Sequence, residues 1–182
     1  MLYVVGVGPA EGYLTDRAKE IISKARVVYG SRRAIEYAKE HIRGEIRVLK
    51  KFGAEVYREI EEAARSEDVV ILSTGDPMVS GLGKKLSGVV EPGISSVQLA
   101  LARLKVDLTE IVVVDAHGRD SYREIEEALR FRGKVLILAD KSFDLGRLKG
   151  KVLVLENLGL ENERIGKEIS SDLAIVYVEV ES

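Results

Sequence analysis

The sequence predicts an α/β protein of two lobes with mostly parallel sheets. Three observations predict it. Short apolar, β-branched runs alternate with segments of helical spacing. Three glycine-rich turns each follow an apolar run: Gly6-Val7-Gly8-Pro9, Ser73-Thr74-Gly75-Asp76-Pro77-Met78 and Pro92-Gly93-Ile94-Ser95-Ser96. A second series of strand-like runs then begins after a polar stretch, Lys105 to Glu110. The expected lobes are residues 1–107 and 108–182.

The elements follow in chain order. Leu2 to Val7 is apolar throughout, as a strand covered on both faces requires. Thr15 to Lys24 places Ala18, Ile21 and Ile22 at helical spacing, with Thr15 as N-cap and Asp16 in the first turn. Arg26 to Tyr29 is a short strand, Arg32 to Glu40 a helix and Glu45 to Leu49 a strand. Ala54 to Arg65 is a helix carrying apolar residues at 56, 57, 60, 63 and 64. Asp68 to Leu72 is a strand, residues 79–87 begin a helix, Gly88 to Glu91 is a strand and Ser95 to Leu104 a helix. The second lobe reads as strand Ile111 to Asp115, helix Ser121 to Phe131, strand Lys134 to Leu138, and strands Lys151 to Glu156 and Leu173 to Val180. The last of these ends in alternating Val178, Glu179, Val180 and Glu181, the pattern of an edge strand.

Composition narrows the function. With 182 residues and a formal charge of -2, the chain can build real cores but carries no net basicity for nucleic acid. No apolar run approaches the roughly 20 residues of a membrane span. The apolar start runs into a glycine turn with no basic segment before it, so it reads as a strand and not as a signal peptide. No cysteine is present, which removes disulfides, thiolate metal sites and a cysteine nucleophile. No metal-ligand spacing is legible. A cytoplasmic protein is expected.

Glycine-rich loops at the C-terminal ends of parallel strands are where open α/β sheets bind small ligands. The first turn is not a dinucleotide fingerprint, because Glu11 stands where the third glycine belongs, and no Gly-Lys-Ser/Thr phosphate cradle is present. In the second turn, Gly75 permits close approach of a ligand to backbone. Asp76 either caps a following helix or helps to hold an amino-acid moiety or cation. Ser95 and Ser96 either cap the next helix or also bind a ligand. Only two histidines exist, and His117 lies with Arg119 in Asp115-Ala116-His117-Gly118-Arg119 at a strand end. No nucleophile–base arrangement is legible, so group transfer by positioning is expected over hydrolysis, and no catalytic residue is assigned.

These residues together resemble the tetrapyrrole methylases. The resemblance rests on Gly6-Val7-Gly8-Pro9 with Leu14-Thr15, on Ser73 to Pro77, on Pro92 to Ser96 and on Glu156-Asn157-Leu158-Gly159, and it spans essentially the whole chain. Ala116 to Arg119, and Glu163-Arg164-Ile165 after the Asn157 turn, are similar to the branch that methylates C5 of a corrin precursor in cobalamin formation. The resemblance implies S-adenosyl-L-methionine as cofactor, in a cleft between the two lobes, and a homodimer. It implies cofactor contacts from Gly8, Pro9, Gly75, Asp76, Val79, Ser95, Ser96, Asn157 and the loop after Leu138. It also implies substrate contacts from His117 and Arg119, with Arg32, Arg33, Lys50 and Lys51 as further cations for a polycarboxylate. Since the chain ends at Ser182, a separate C15-methyltransferase/decarboxylase is the expected functional partner. The alternatives are a sirohaem-type or diphthine synthase-like relative, a dehydrogenase lacking the usual fingerprint, and a non-catalytic binding homologue.

Overall fold

The computed structural model describes residues 1–181 and divides into two compact units, Met1–Ser95 and Ser96–Ser182. The division falls after Ser95, not near residue 107. The helix Ser96–Leu104 is therefore counted with the second unit, where it contacts that unit's central strand.

The first unit is one five-stranded sheet. Its strands are β1 (Leu2–Gly6), β2 (Val27–Gly30), β3 (Glu45–Val48), β4 (Val69–Ser73) and β5 (Val89–Glu91), in the order β3-β2-β4-β1-β5. Every pairing is parallel. Helices α1 (Asp16–Lys24) and α2 (Arg32–Ala38) bury Ile21, Ile22, Ala34 and Ile35 against Val5, Val28, Val70 and Leu72. Helix α3 (Ala54–Ala63) places Ile60 against Leu2, Val4, Val69 and Ile71 on the opposite face. Burial on both faces explains why β1 and β4 are uninterrupted apolar runs. Thr15 caps α1 as the sequence suggests, its hydroxyl accepting the Ala18 N–H at 3.1 Å.

Residues 79–87 form no helix. Ser80 adopts φ 52°, and the Gly83 N–H donates to the Pro77 carbonyl at 2.8 Å in a series of tight turns. A β-carbon on Gly81 or Gly83 would lie 2.8 Å or 2.9 Å from the carbonyl oxygens of Asp76 and Pro77. The two glycines weaken helix propensity and permit this packing.

The second unit has strands β6 (Val112–Asp115), β7 (Lys134–Ala139), β8 (Lys151–Glu156), β9 (Arg164–Gly166) and β10 (Ala174–Glu179), in the order β6-β7-β10-β8-β9. Only β6 and β7 are parallel, so the expectation of mostly parallel sheets holds for the first sheet and not for the second. The last strand is central. β10 pairs with β7 and β8 along its whole length, and the charged residues that suggested an edge lie at and beyond its end. Helix α5 (Tyr122–Arg132) covers one face with Ile125, Ala128 and Leu129. Helix α4 (Ser96–Leu104) contacts β10. No helix among the described residues is long and apolar enough to cross a membrane.

Candidate active site

The three glycine loops leave β1, β4 and β5 at the same sheet edge. The register sets Gly6 opposite Ser73 and Val5 opposite Glu91, so the chains exit at one level. They are then joined directly. The Val7 N–H donates to the Ser73 carbonyl at 3.0 Å, and Gly8 and Gly75 exchange reciprocal backbone hydrogen bonds at 3.1 Å and 2.7 Å. Gly8 has φ 80° and Gly75 φ 64°, conformations that glycine adopts without a side-chain penalty.

Asp76 joins the second loop to the third. One carboxylate oxygen accepts the Met78 N–H at 2.7 Å and the other the Gly93 N–H at 2.9 Å, with the residue 8% exposed. Since no helix follows, Asp76 is not an N-cap; it is a clamp between loops. Asp76→Asn turns an amide NH₂ towards one of those two donors. A loss of about 1–2 kcal/mol in stability is expected by urea denaturation, the size of one unmade buried hydrogen bond. An unchanged midpoint would remove the clamp. Pro9 and Val79 are half-buried in the first and second loops, and Ser95 is buried at 1% exposure in the third.

This cradle contains no lysine or arginine among Gly6–Pro9, Ser73–Met78 and Pro92–Ser95, and both oxygens of its buried carboxylate already accept N–H donors. It suits an uncharged or zwitterionic ligand held through backbone groups, as an amino-acid nucleoside without phosphate would be. Among the described residues, no group of three or more histidines and acids could hold a metal ion.

In the second unit, His117 and Arg119 lie together in the turn between β6 and α5, both exposed. The His117 ring sits between two acceptors, Asp115 Oδ1 at 2.9 Å from Nδ1 and the Ala139 carbonyl at 3.1 Å from Nε2. The Arg119 guanidinium donates to the Asp115 carbonyl at 2.7 Å and pairs with Glu124 at 2.8 Å. In the loop after β7, the hydroxyl and amide of Ser142 both donate to Asp140 and hold its carboxyl below the usual carboxylate range. Arg32, Arg33, Lys50 and Lys51 follow β2 and β3, on the flank of the first sheet away from β1 and β5.

Asn157 follows β8 with φ 54°, and its carbonyl accepts the Leu160 N–H at 2.9 Å to close the turn. Two acids fix this turn. Glu163 accepts a bidentate contact from Arg103 of α4 at 3.0 Å and 3.2 Å and the Gly159 N–H at 2.8 Å. The Arg103 bonds, then the Gly159 bond, hold its carboxyl below the usual range. Glu156, fully buried, is ion-paired with Arg164 and accepts from Ser170 and Ser171. The sequence reading assigned no role to Glu156 or Ser171; the available signal was a carboxylate closing the apolar run Val152 to Leu155.

The arrangement is that of a small-ligand-binding protein with a backbone-lined cradle at the edge of a parallel sheet. The chain belongs to the tetrapyrrole (corrin/porphyrin) methylases, whose family model matches residues 1–174. It is 46% identical to the precorrin-6Y methylase of Archaeoglobus fulgidus, a solved structure, with TM-score 0.87 over 100% of this chain and 99% of that one. It is 32% identical to the probable cobalt-precorrin-7 C(5)-methyltransferase of Methanocaldococcus jannaschii, covering 96% of this chain and 92% of the relative. A precorrin-6Y C(5,15)-methyltransferase [decarboxylating] from Sinorhizobium sp is also 32% identical, over 93% of this chain and 45% of its own length.

Proposed function

We propose that this protein transfers the methyl group of S-adenosyl-L-methionine to C5 of a corrin precursor of the cobalt-precorrin-7 or precorrin-6B/7 type in cobalamin biosynthesis. The observation that carries the reading is the full-length likeness to the precorrin-6Y methylase, and the stitched, phosphate-unsuited cradle is consistent with it. S-adenosyl-L-methionine supplies an already activated methyl group on a sulfonium.

The chain's own contribution is then chiefly alignment, which is worth several kcal/mol of a transfer barrier. Gly8, Pro9, Gly75, Asp76, Val79 and Ser95 form the cofactor cradle, with Asp76 acting by holding the loops together and presenting their backbone. Ser96 and Asn157 are further cofactor contacts. His117 and Arg119 face the macrocycle's carboxylates. Glu124 already occupies one face of the Arg119 guanidinium, so a substrate carboxylate shares it or displaces Glu124. Arg119→Ala is expected to raise the tetrapyrrole KM roughly 10-fold, the value of one charge-assisted contact, with a smaller change in cofactor Kd. An unchanged KM removes Arg119 from the substrate site.

The reading includes a cytoplasmic homodimer that works beside a separate C15-methyltransferase/decarboxylase. Light scattering tests the dimer as a mass twice that of the chain. The deciding experiment is calorimetric titration with S-adenosylhomocysteine. Saturable micromolar binding, one per chain, is expected, with no stabilisation by NAD. No binding up to millimolar ligand would favour a non-catalytic homologue.

A further inference from the structure

The buried carboxylate of Glu156 plays no part in the chemistry above, yet polar groups of Arg164, Ser170 and Ser171 all converge on it. Oε1 is ion-paired with Arg164 Nε at 2.8 Å and accepts from the Ser170 hydroxyl at 3.1 Å; Oε2 accepts the backbone N–H groups of Ser170, at 2.9 Å, and Ser171. These bonds fix the Ser170-Ser171 segment against the end of β8. The Ser171 hydroxyl is bonded both as acceptor and as donor. It accepts the Leu173 N–H at 3.1 Å, and its single proton goes to Asn157 Oδ1 at 2.8 Å. The Asn157 backbone is tied to the same segment, its N–H donating to the Leu173 carbonyl at 3.1 Å.

The consequence falls on the Asn157 amide. With Oδ1 engaged by Ser171, the side chain can turn neither end for end nor out to solvent without breaking a bond. Among the described residues, its NH₂ makes only a 3.5 Å contact to the Asn162 carbonyl. An amide donor is thereby held at the tip of the turn, on a residue whose own left-handed backbone is set by the same contacts. A turn needed only for folding does not require this side chain to be oriented.

We propose that Ser171, anchored by Glu156, is a positioning residue for cofactor binding: it presents the Asn157 amide as a hydrogen-bond donor to an acceptor of the amino-acid nucleoside. The inference rests on the proposed methyltransferase reading and adds a residue and a role to it.

The test is S-adenosylhomocysteine titration of the full chain and of Ser171→Ala, Ser171→Thr, Asn157→Ala and the Ser171→Ala/Asn157→Ala double variant. Each alanine single should weaken binding about 3- to 10-fold, the range of one hydrogen bond. The double should bind no more weakly than Asn157→Ala alone, because both remove one interaction. Ser171→Thr keeps the hydroxyl and should restore affinity to within about 2-fold. Should Ser171→Ala not fold, Ser171→Cys keeps the shape with a weak donor and is read in the same way. Wild-type affinity in Ser171→Ala, or losses that add in the double, overturns this inference and leaves the methyltransferase reading standing. Absence of binding by the unsubstituted protein overturns both.

Discussion

Gly93→Ala should abolish S-adenosylhomocysteine binding and lower the melting temperature. A β-carbon on Gly93 would lie 2.5 Å from the Gly75 carbonyl oxygen and 2.9 Å from Gly6 backbone. All of these are backbone atoms of the two neighbouring loops, so no flexible side chain can move aside. The third loop must retreat, and the Gly93 N–H bond to Asp76 is lost with it. Overpacking of this kind costs about 1–3 kcal/mol, or roughly 2–12 °C for a chain of this size. Binding suffers more than stability, because the cradle exists only while the three loops touch. Gly53→Ala is the control. It is a glycine with extended backbone at the start of α3, and a β-carbon there meets nothing within 4 Å. It should leave both readouts unchanged. Normal binding by Gly93→Ala would show that the loops do not form the cofactor site.

What the sequence made legible was local. The Thr15 cap depends on a hydroxyl three residues from its donor, and β1 and β4 are continuous apolar runs because both faces are covered. What stayed hidden depended on partners distant in sequence. An alternating pattern reports what faces each side chain, not which strands flank it, so β10 read as an edge although it pairs on both sides. Helix α4 buries Val97, Leu99, Ala100 and Leu101, and periodicity does not say against which sheet. The loops at 6, 75 and 93 were visible as glycines, but their joining follows from the register that sets Gly6 opposite Ser73. Asp76 read as a cap or a ligand contact, and not as a clamp, because its second partner lies 17 residues on. Glu156 was invisible as a site for the same reason: a carboxylate closing a strand reads as surface until residues 164, 170 and 171 return to it.

That carboxylate sets the other large effect. Glu156→Gln should cost about 2–4 kcal/mol, measured as a lower urea midpoint with an unchanged slope. A carboxylate offers four lone-pair positions; here Oε2 accepts two backbone N–H groups, and Oε1 accepts the Ser170 hydroxyl and is ion-paired with Arg164. Glutamine replaces one of those oxygens with an NH₂. Turned towards Ser170 and Ser171, the NH₂ faces two backbone N–H donors; turned the other way it faces the Arg164 guanidinium, and the Ser170 hydroxyl must rotate from donor to acceptor. At 0% exposure no solvent reaches the residue to separate the facing donors. Arg164 is 47% exposed and keeps part of its hydration, which holds the cost below that of breaking a wholly buried ion pair. Glu163→Gln makes the useful comparison. Its side chain is 26% exposed, and the Arg103 that it pairs with is 36% exposed, so water can take up the donors it abandons and the loss should be smaller. Equal losses at the two positions would mean that burial does not govern either. If Glu156→Gln instead leaves the midpoint unchanged, the Ser170-Ser171 segment is held by its backbone alone, and the Asn157 turn owes its conformation to Glu163 and Arg103.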